Sequence, residues 1–69
     1  MTKKQKAAHY REAASLAMRG KGFIYLLDLG LYAEFRDVFG FTSQKMIGAD
    51  RSTAFCFMAA MVEAGDTEL

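Results

Sequence analysis

Cys56 and His9 are the only cysteine and the only histidine in the 69 residues. A thiolate beside an imidazole can make a nucleophile and its base, provided a third group orients the pair. No residue in the sequence announces itself as that third group. Cys56 lies between Phe55 and Phe57, where a thiol is expected to be buried as a small hydrophobe. One histidine and one cysteine cannot fill a structural zinc site, which takes four ligands. Asp28, Glu34 and Asp37 fall on or near one segment. Paired acids can do acid–base work, but acids spaced this way are read here as a solvated helical face. Gly20-Lys21-Gly22 lacks the Lys-Ser/Thr ending of a phosphate-binding loop and is read as a turn. The expectation is a protein that is no enzyme and takes no cofactor and no metal.

A second kind of chemistry is base reading. Phe41 to Gly65 contains Thr42-Ser43-Gln44-Lys45-Met46-Ile47, then Gly48-Ala49-Asp50, then Arg51-Ser52-Thr53-Ala54. This stretch resembles bacterial helix-turn-helix regulators, in which a Ser-Gln helix precedes a turn and an Arg-Ser-Thr recognition helix. The resemblance implies DNA binding through residues 42–64, with Arg51, Ser52 and Thr53 as the readers of base edges. The segment between Ile47 and Arg51 is shorter than the turn of that family by about one helical turn. The helix also turns apolar at once, at Phe55, Cys56 and Phe57, which leaves little basic surface for phosphates.

These residues must be positioned by helices. From about Lys3 to Arg19 the chain is rich in alanine and other strong helix formers. Tyr10, Ala13, Ala14, Ala17 and Met18 recur at three- and four-residue steps, which predicts one apolar face. Arg19-Gly20 supplies a stop. From about Phe23 to Phe39, Ile24, Leu27, Leu31, Phe35 and Val38 form one stripe, and Leu26, Leu29 and Tyr32 a second beside it. Gly30 either breaks this helix or allows two backbones to cross closely. Thr42 or Ser43 could cap a short helix through Ile47, and Asp50 or Ser52 a longer one ending near Ala64, with Gly65 as the stop. In that last helix few polar side chains interrupt the sequence before Glu63, which predicts burial on most sides. The fold class is therefore all-α: one small helical domain over 1–69, of three or four helices, with 1–6 as a flexible basic arm.

Size and composition set the partner question. A chain this short buries only about 60% of the surface its unfolded form exposes, and its folding balance sits near zero without help. Disulfide and metal being absent from the sequence, the expected helper is a second copy or another protein. The composition is 52% hydrophobic, with nine aromatics and five methionines. Some of that apolar material should stay outside and mark a contact surface. Residues 1–21 carry six cations against one anion, a balance of +5, and residues 22–69 carry three against seven, a balance of −4. A basic arm can serve nucleic acid, yet a net charge of +1 is low for a dedicated DNA-binding domain. The N-terminus lacks the apolar run of a signal peptide. The longest uncharged stretch, Ser52 to Val62, is eleven residues, too short to span a bilayer. A cytoplasmic protein without a membrane partner is expected.

A broader resemblance covers more of the chain. Tyr10-Arg11-Glu12-Ala13-Ala14-Ser15-Leu16-Ala17 precedes Gly30-Leu31-Tyr32-Ala33-Glu34, followed by Phe39 and by Arg51 with Phe55-Cys56. This pattern resembles the small enterobacterial regulators of the aggregative-adherence negative regulator (ANR) and PerC-like type. Phe39 stands where those proteins usually have tryptophan, and Phe35-Arg36 replaces their paired alanines. The resemblance implies a plasmid- or phage-borne modulator of host gene expression. It also implies that Leu31, Tyr32, Phe39, Phe55 and Cys56 are core positions. The leading expectation is a homodimeric regulator that binds a host regulatory protein through an apolar helical face. Its anchors would be Tyr25, Tyr32 and Phe35, flanked by Arg36, because interface hot spots favour large aromatics and arginine. A phage- or plasmid-encoded antagonist of a host protein would look the same in sequence, and direct DNA binding stands as the other alternative.

Overall fold

A computed structural model describes residues 1–40 and 46–65. They form four helices: α1 (Lys3–Ala17), α2 (Gly22–Asp28), α3 (Tyr32–Phe39) and α4 (Gly48–Ala64). There is no strand among the described residues.

Helix α1 opens on a reciprocal cap. The Thr2 hydroxyl accepts from the Gln5 backbone N–H at 3.1 Å, and the Gln5 side-chain oxygen accepts from the Thr2 N–H at 2.9 Å. Two otherwise unpaired backbone donors are satisfied at once. Residues 1–6, expected from their lysines to form a basic arm, are therefore the cap and first turn of a helix, and Lys6 is buried. Tyr10, Ala13, Ala14 and Ala17 are buried as their spacing predicts, while Met18, past the end of the helix, is 67% exposed. Gly20 adopts φ +72, the left-handed conformation that ends helices at little cost for glycine.

Gly30 breaks the second apolar segment in two. At φ +73 it ends α2 and resets the helical phase before α3. The stripe from Ile24 to Val38 consequently does not share one face. Leu31 and Phe35 are buried, whereas Ile24, Leu27 and Val38 are exposed. The core takes Leu26 from α2 and Tyr32 from the start of α3.

Helix α1 packs most extensively against α4. Its alanines face Ala54, Phe55, Met58, Ala59 and Val62. Small side chains let neighbouring backbones come close to α1, and Gly48 of α4 and Gly22 of α2 show how close. A Cβ on Gly48 would lie 2.9 Å from the Ala17 carbonyl oxygen, and one on Gly22 would lie 2.5 Å from that of Ala13. Gly48 is thus the contact residue that starts α4, not a break in it. Asp50 and Ser52, expected as caps, lie inside the helix, whose N-cap is Ile47 with no side-chain hydrogen bond. Most of the short helix expected from Thr42 or Ser43 to Ile47 lies outside the described residues, and Met46 and Ile47 are not helical. Gly65 closes α4 at φ +77.

Tyr10, Phe35, Phe55, Leu26, Met58 and Val62 are the largest fully buried side chains, and each contributes about 1.5–3 kcal/mol of transfer free energy. The accessible surface is 4353 Å². A folded monomer of 7.7 kDa exposes about 4,300 Å², so the single chain buries as much as its mass leads one to expect. The surplus of apolar residues shows in which side chains remain outside, not in the total area.

Candidate functional site

The residues expected to anchor a partner divide into inner and outer. Phe35 is fully buried and lies 4.8 Å from the Phe55 ring and 4.9 Å from that of Phe39, centroid to centroid. Tyr32 is buried edge-on against Phe23 at 4.4 Å. The anchor role expected of both gives way to core positions, the place that the broader resemblance implies for Tyr32, because the break at Gly30 turns the first turn of α3 inward. Tyr25 is half-buried, with its hydroxyl 2.7 Å from His9 Nδ1. Arg36 is exposed in the last turn of α3.

The three residues read as base readers also part company. The Arg51 guanidinium lies 5.2 Å from the centre of the Phe23 ring, within the range of a cation–π contact. Ser52 is half-buried. Thr53 is exposed, but its hydroxyl donates to the Ala49 carbonyl at 3.2 Å, within its own helix. Arg51 is thus occupied in holding α4 to the start of α2. The Ser-Gln segment of the motif falls mostly at 41–45, outside the described residues.

Cys56 is exposed, contrary to the expectation of a buried thiol. The reason is rotational. Phe55, Met58, Ala59 and Val62 claim the inward face of α4, and at 100° per residue Cys56 and Phe57 point away from it. Phe57 is 60% exposed. Thr53, Phe57, Ala60 and Ala64 follow one another at steps of four, three and four, and all are exposed. They make an outer face with one large ring, uncharged over these four residues and bounded by the exposed Asp50 toward the start of the helix. The expectation that α4 is buried on most sides is corrected accordingly. The signal was present in the sequence: the stripe Phe55–Met58–Val62 by itself places Phe57 opposite the core.

A polar clasp joins α1 to α3. Lys6 Nζ lies 2.8 Å from Glu34 Oε1. The Tyr10 hydroxyl lies 3.2 Å from Glu34 Oε2 and 3.1 Å from the Leu31 carbonyl oxygen, and its one proton serves both acceptors. Burial and the neighbouring carboxylate push the Tyr10 phenol above its ordinary value. On the surface Arg11 forks both oxygens of Glu63, at 2.7 and 2.6 Å, and ties α1 to α4. This pairing holds the Glu63 carboxyl below its usual range. Among the described residues no three His, Cys, Asp or Glu side chains come together as a metal site would need, and no helix is long and apolar enough to cross a membrane.

No family model, curated protein or solved structure was found to match the chain. The surface itself carries the functional argument.

Proposed function

We propose that this chain is a small regulatory protein, working as a homodimer in the cytoplasm, that modulates host gene expression by binding a host regulatory protein through an apolar helical face. The observation that supports this reading is Phe57, a large ring 60% exposed on a helix face that is otherwise small-sided and uncharged from Thr53 to Ala64, with Asp50 at its far end. A phenylalanine gains nothing from that position in the isolated chain, whereas aromatic side chains surrounded by small neighbours are typical anchors of protein interfaces. Phe57, with Cys56 at its side, takes the role that the sequence alone gave to Tyr32 and Phe35. Direct base reading has less support, because Arg51 is engaged with Phe23.

The test compares the native chain with Phe57→Asp in the host cell, after circular dichroism has shown that both are helical. Capture identifies proteins held by the native chain and lost with the variant, and transcript profiles are recorded in parallel. The reading predicts that Phe57→Asp loses a regulatory protein and returns the transcripts to those of cells lacking the chain. Loss of a captured protein with unchanged transcripts would support the antagonist instead. Identical captures and identical transcripts for both chains would remove Phe57 from the function.

A further inference from the structure

Helix α2 has an outer face that no other part of the described chain covers. Ile24 is 58% exposed and Leu27 48%. Lys21, at the N-cap, and Asp28, the last residue of the helix, are exposed on the same side. Neither belongs to either of the ion pairs among the described residues. Viewed down the axis, Ile24 is central, Lys21 and Asp28 share one flank, and Leu27 lies on the other.

We infer that this face of α2 pairs with the same face of a second copy, antiparallel, so that each Lys21 meets the other's Asp28. The inference deepens the homodimer part of the proposed function and rests on it. The argument is one of symmetry and charge. A two-fold axis that makes two helices antiparallel brings like flanks together. Lys21 and Asp28 are seven residues apart, about 10 Å along the helix. With the axis passing near Ile24, each lysine therefore falls beside the opposing aspartate, and the two isoleucines meet at the centre. A parallel pair would set the charged flank against Leu27. Within one chain the two charges are poorly placed, a cation at the start of a helix and an anion at its end being the unfavourable order. Only the antiparallel pairing gives each an opposite charge.

Area sets the strength. A stable dimer buries about 800 Å² on each partner, and a helix of seven residues offers less. The single chain already has the surface of an ordinary monomer. The dimer is therefore a weak one, formed in the micromolar range or above, with the folded monomer as its dissociated state.

The experiment is sedimentation of the full chain from micromolar to millimolar concentration. Four variants are measured beside it: Ile24→Glu, Lys21→Glu, Asp28→Lys, and the double exchange of the last two. All three positions are exposed, so the fold survives, and circular dichroism verifies it. The native chain should dimerise with rising concentration. Ile24→Glu should abolish the dimer. Each single charge reversal should weaken it about tenfold, since two symmetric pairs are lost together. The double exchange should restore it, and so should an equimolar mixture of the two single variants, which pair only with each other. A chain that stays monomeric at every concentration overturns both this pairing and the homodimer. A dimer that ignores Ile24→Glu and the charge reversals overturns the pairing alone and leaves the homodimer standing on another face.

Discussion

Helix α4 and the α2–α3 pair solve the same problem in different proportions of closeness and bulk. Both must bury an apolar face against α1. Helix α4 does it largely by closeness: Ala54 and Ala59 share one core with Ala7, Ala13, Ala14 and Ala17, and Gly48 sits against the Ala17 backbone. The short helices α2 and α3 approach closely only at Gly22, against the Ala13 backbone, and otherwise rely on bulk, wedging Leu26, Tyr32 and Phe35 into the core, and are held by the Lys6–Glu34–Tyr10 clasp. The difference teaches what each can spare. A helix of 17 residues seated by small side chains keeps a long outer face free for other use. Helices of seven and eight residues are too short to persist alone and depend on every large contact they make.

The largest expected effect breaks the bulky side of this comparison. Phe35→Ala should cost about 4 kcal/mol, through lost transfer free energy and the cavity left among Tyr32, Phe39 and Phe55. A single core of this size supplies no more than about 3–5 kcal/mol in all. Circular dichroism of the variant at 25 °C should therefore show most of the helical signal lost. A chain that stays folded with a small shift in its midpoint would mean that α2 and α3 contribute little to the core.

Next comes the clasp. Glu34→Ala leaves the Lys6 ammonium without its partner, at a site where its side chain is only 10% exposed. Stranding a buried charge costs about 3 kcal/mol, less here because the Glu34 side is 21% open to water. Thermal unfolding should move down by about 10 °C. Replacing both partners, Lys6→Met with Glu34→Leu, should recover most of the loss, since no buried charge then remains. Failure of that rescue would assign the effect to the Tyr10 hydroxyl instead.

How much of this was legible in the sequence follows from the same contrast. Helix α1, its Gly20 stop, the Gly65 stop and the inward stripe of α4 were all readable, because each is a local pattern of period 3.6 or a single glycine. The fates of Tyr32, Phe35, Ile24 and Leu27 were not. They depend on the phase reset at Gly30, and a sequence shows that a glycine is present without showing its φ. The lysines of residues 1–6 read as an arm because charge is visible, while the partner that buries Lys6 lies 28 positions away. Cys56 and Phe57 depart from expectation for a simpler reason: the scarcity of polar side chains before Glu63 suggests burial on most sides of α4. A chain this small has too little material to cover a helix completely.

Tyr10 offers a gentler probe of the clasp. Its phenol is raised by burial and by Glu34. As pH rises past about 10, the unfolded chain releases that proton while the folded chain keeps it, so the folded state binds more protons and stability falls with pH. The contribution is intact below the ordinary phenol value and is lost above it, at up to about 1.4 kcal/mol per pH unit. Denaturant midpoints of the native chain should decline more steeply above pH 10 than those of Tyr10→Phe. Parallel profiles would show that the Tyr10 hydroxyl is as free to ionise in the folded chain as in the unfolded one.

The smallest expected effect lies on the spare face of α4 and sharpens the comparison most. Phe57→Ala removes a ring as large as that of Phe35, from a site 60% exposed instead of fully buried. No cavity forms, and alanine is the better helix former. The unfolding midpoint should stay within about 0.5 kcal/mol of the native chain. Two phenylalanine deletions in one small protein would then differ by about 3–4 kcal/mol, with burial as the only variable. A loss near that of Phe35→Ala would show that the outer face of α4 is covered in solution. A small loss combined with abolished capture of the partner would separate folding from function at a single ring: Phe35 inside the molecule because the fold requires it, and Phe57 outside because binding does.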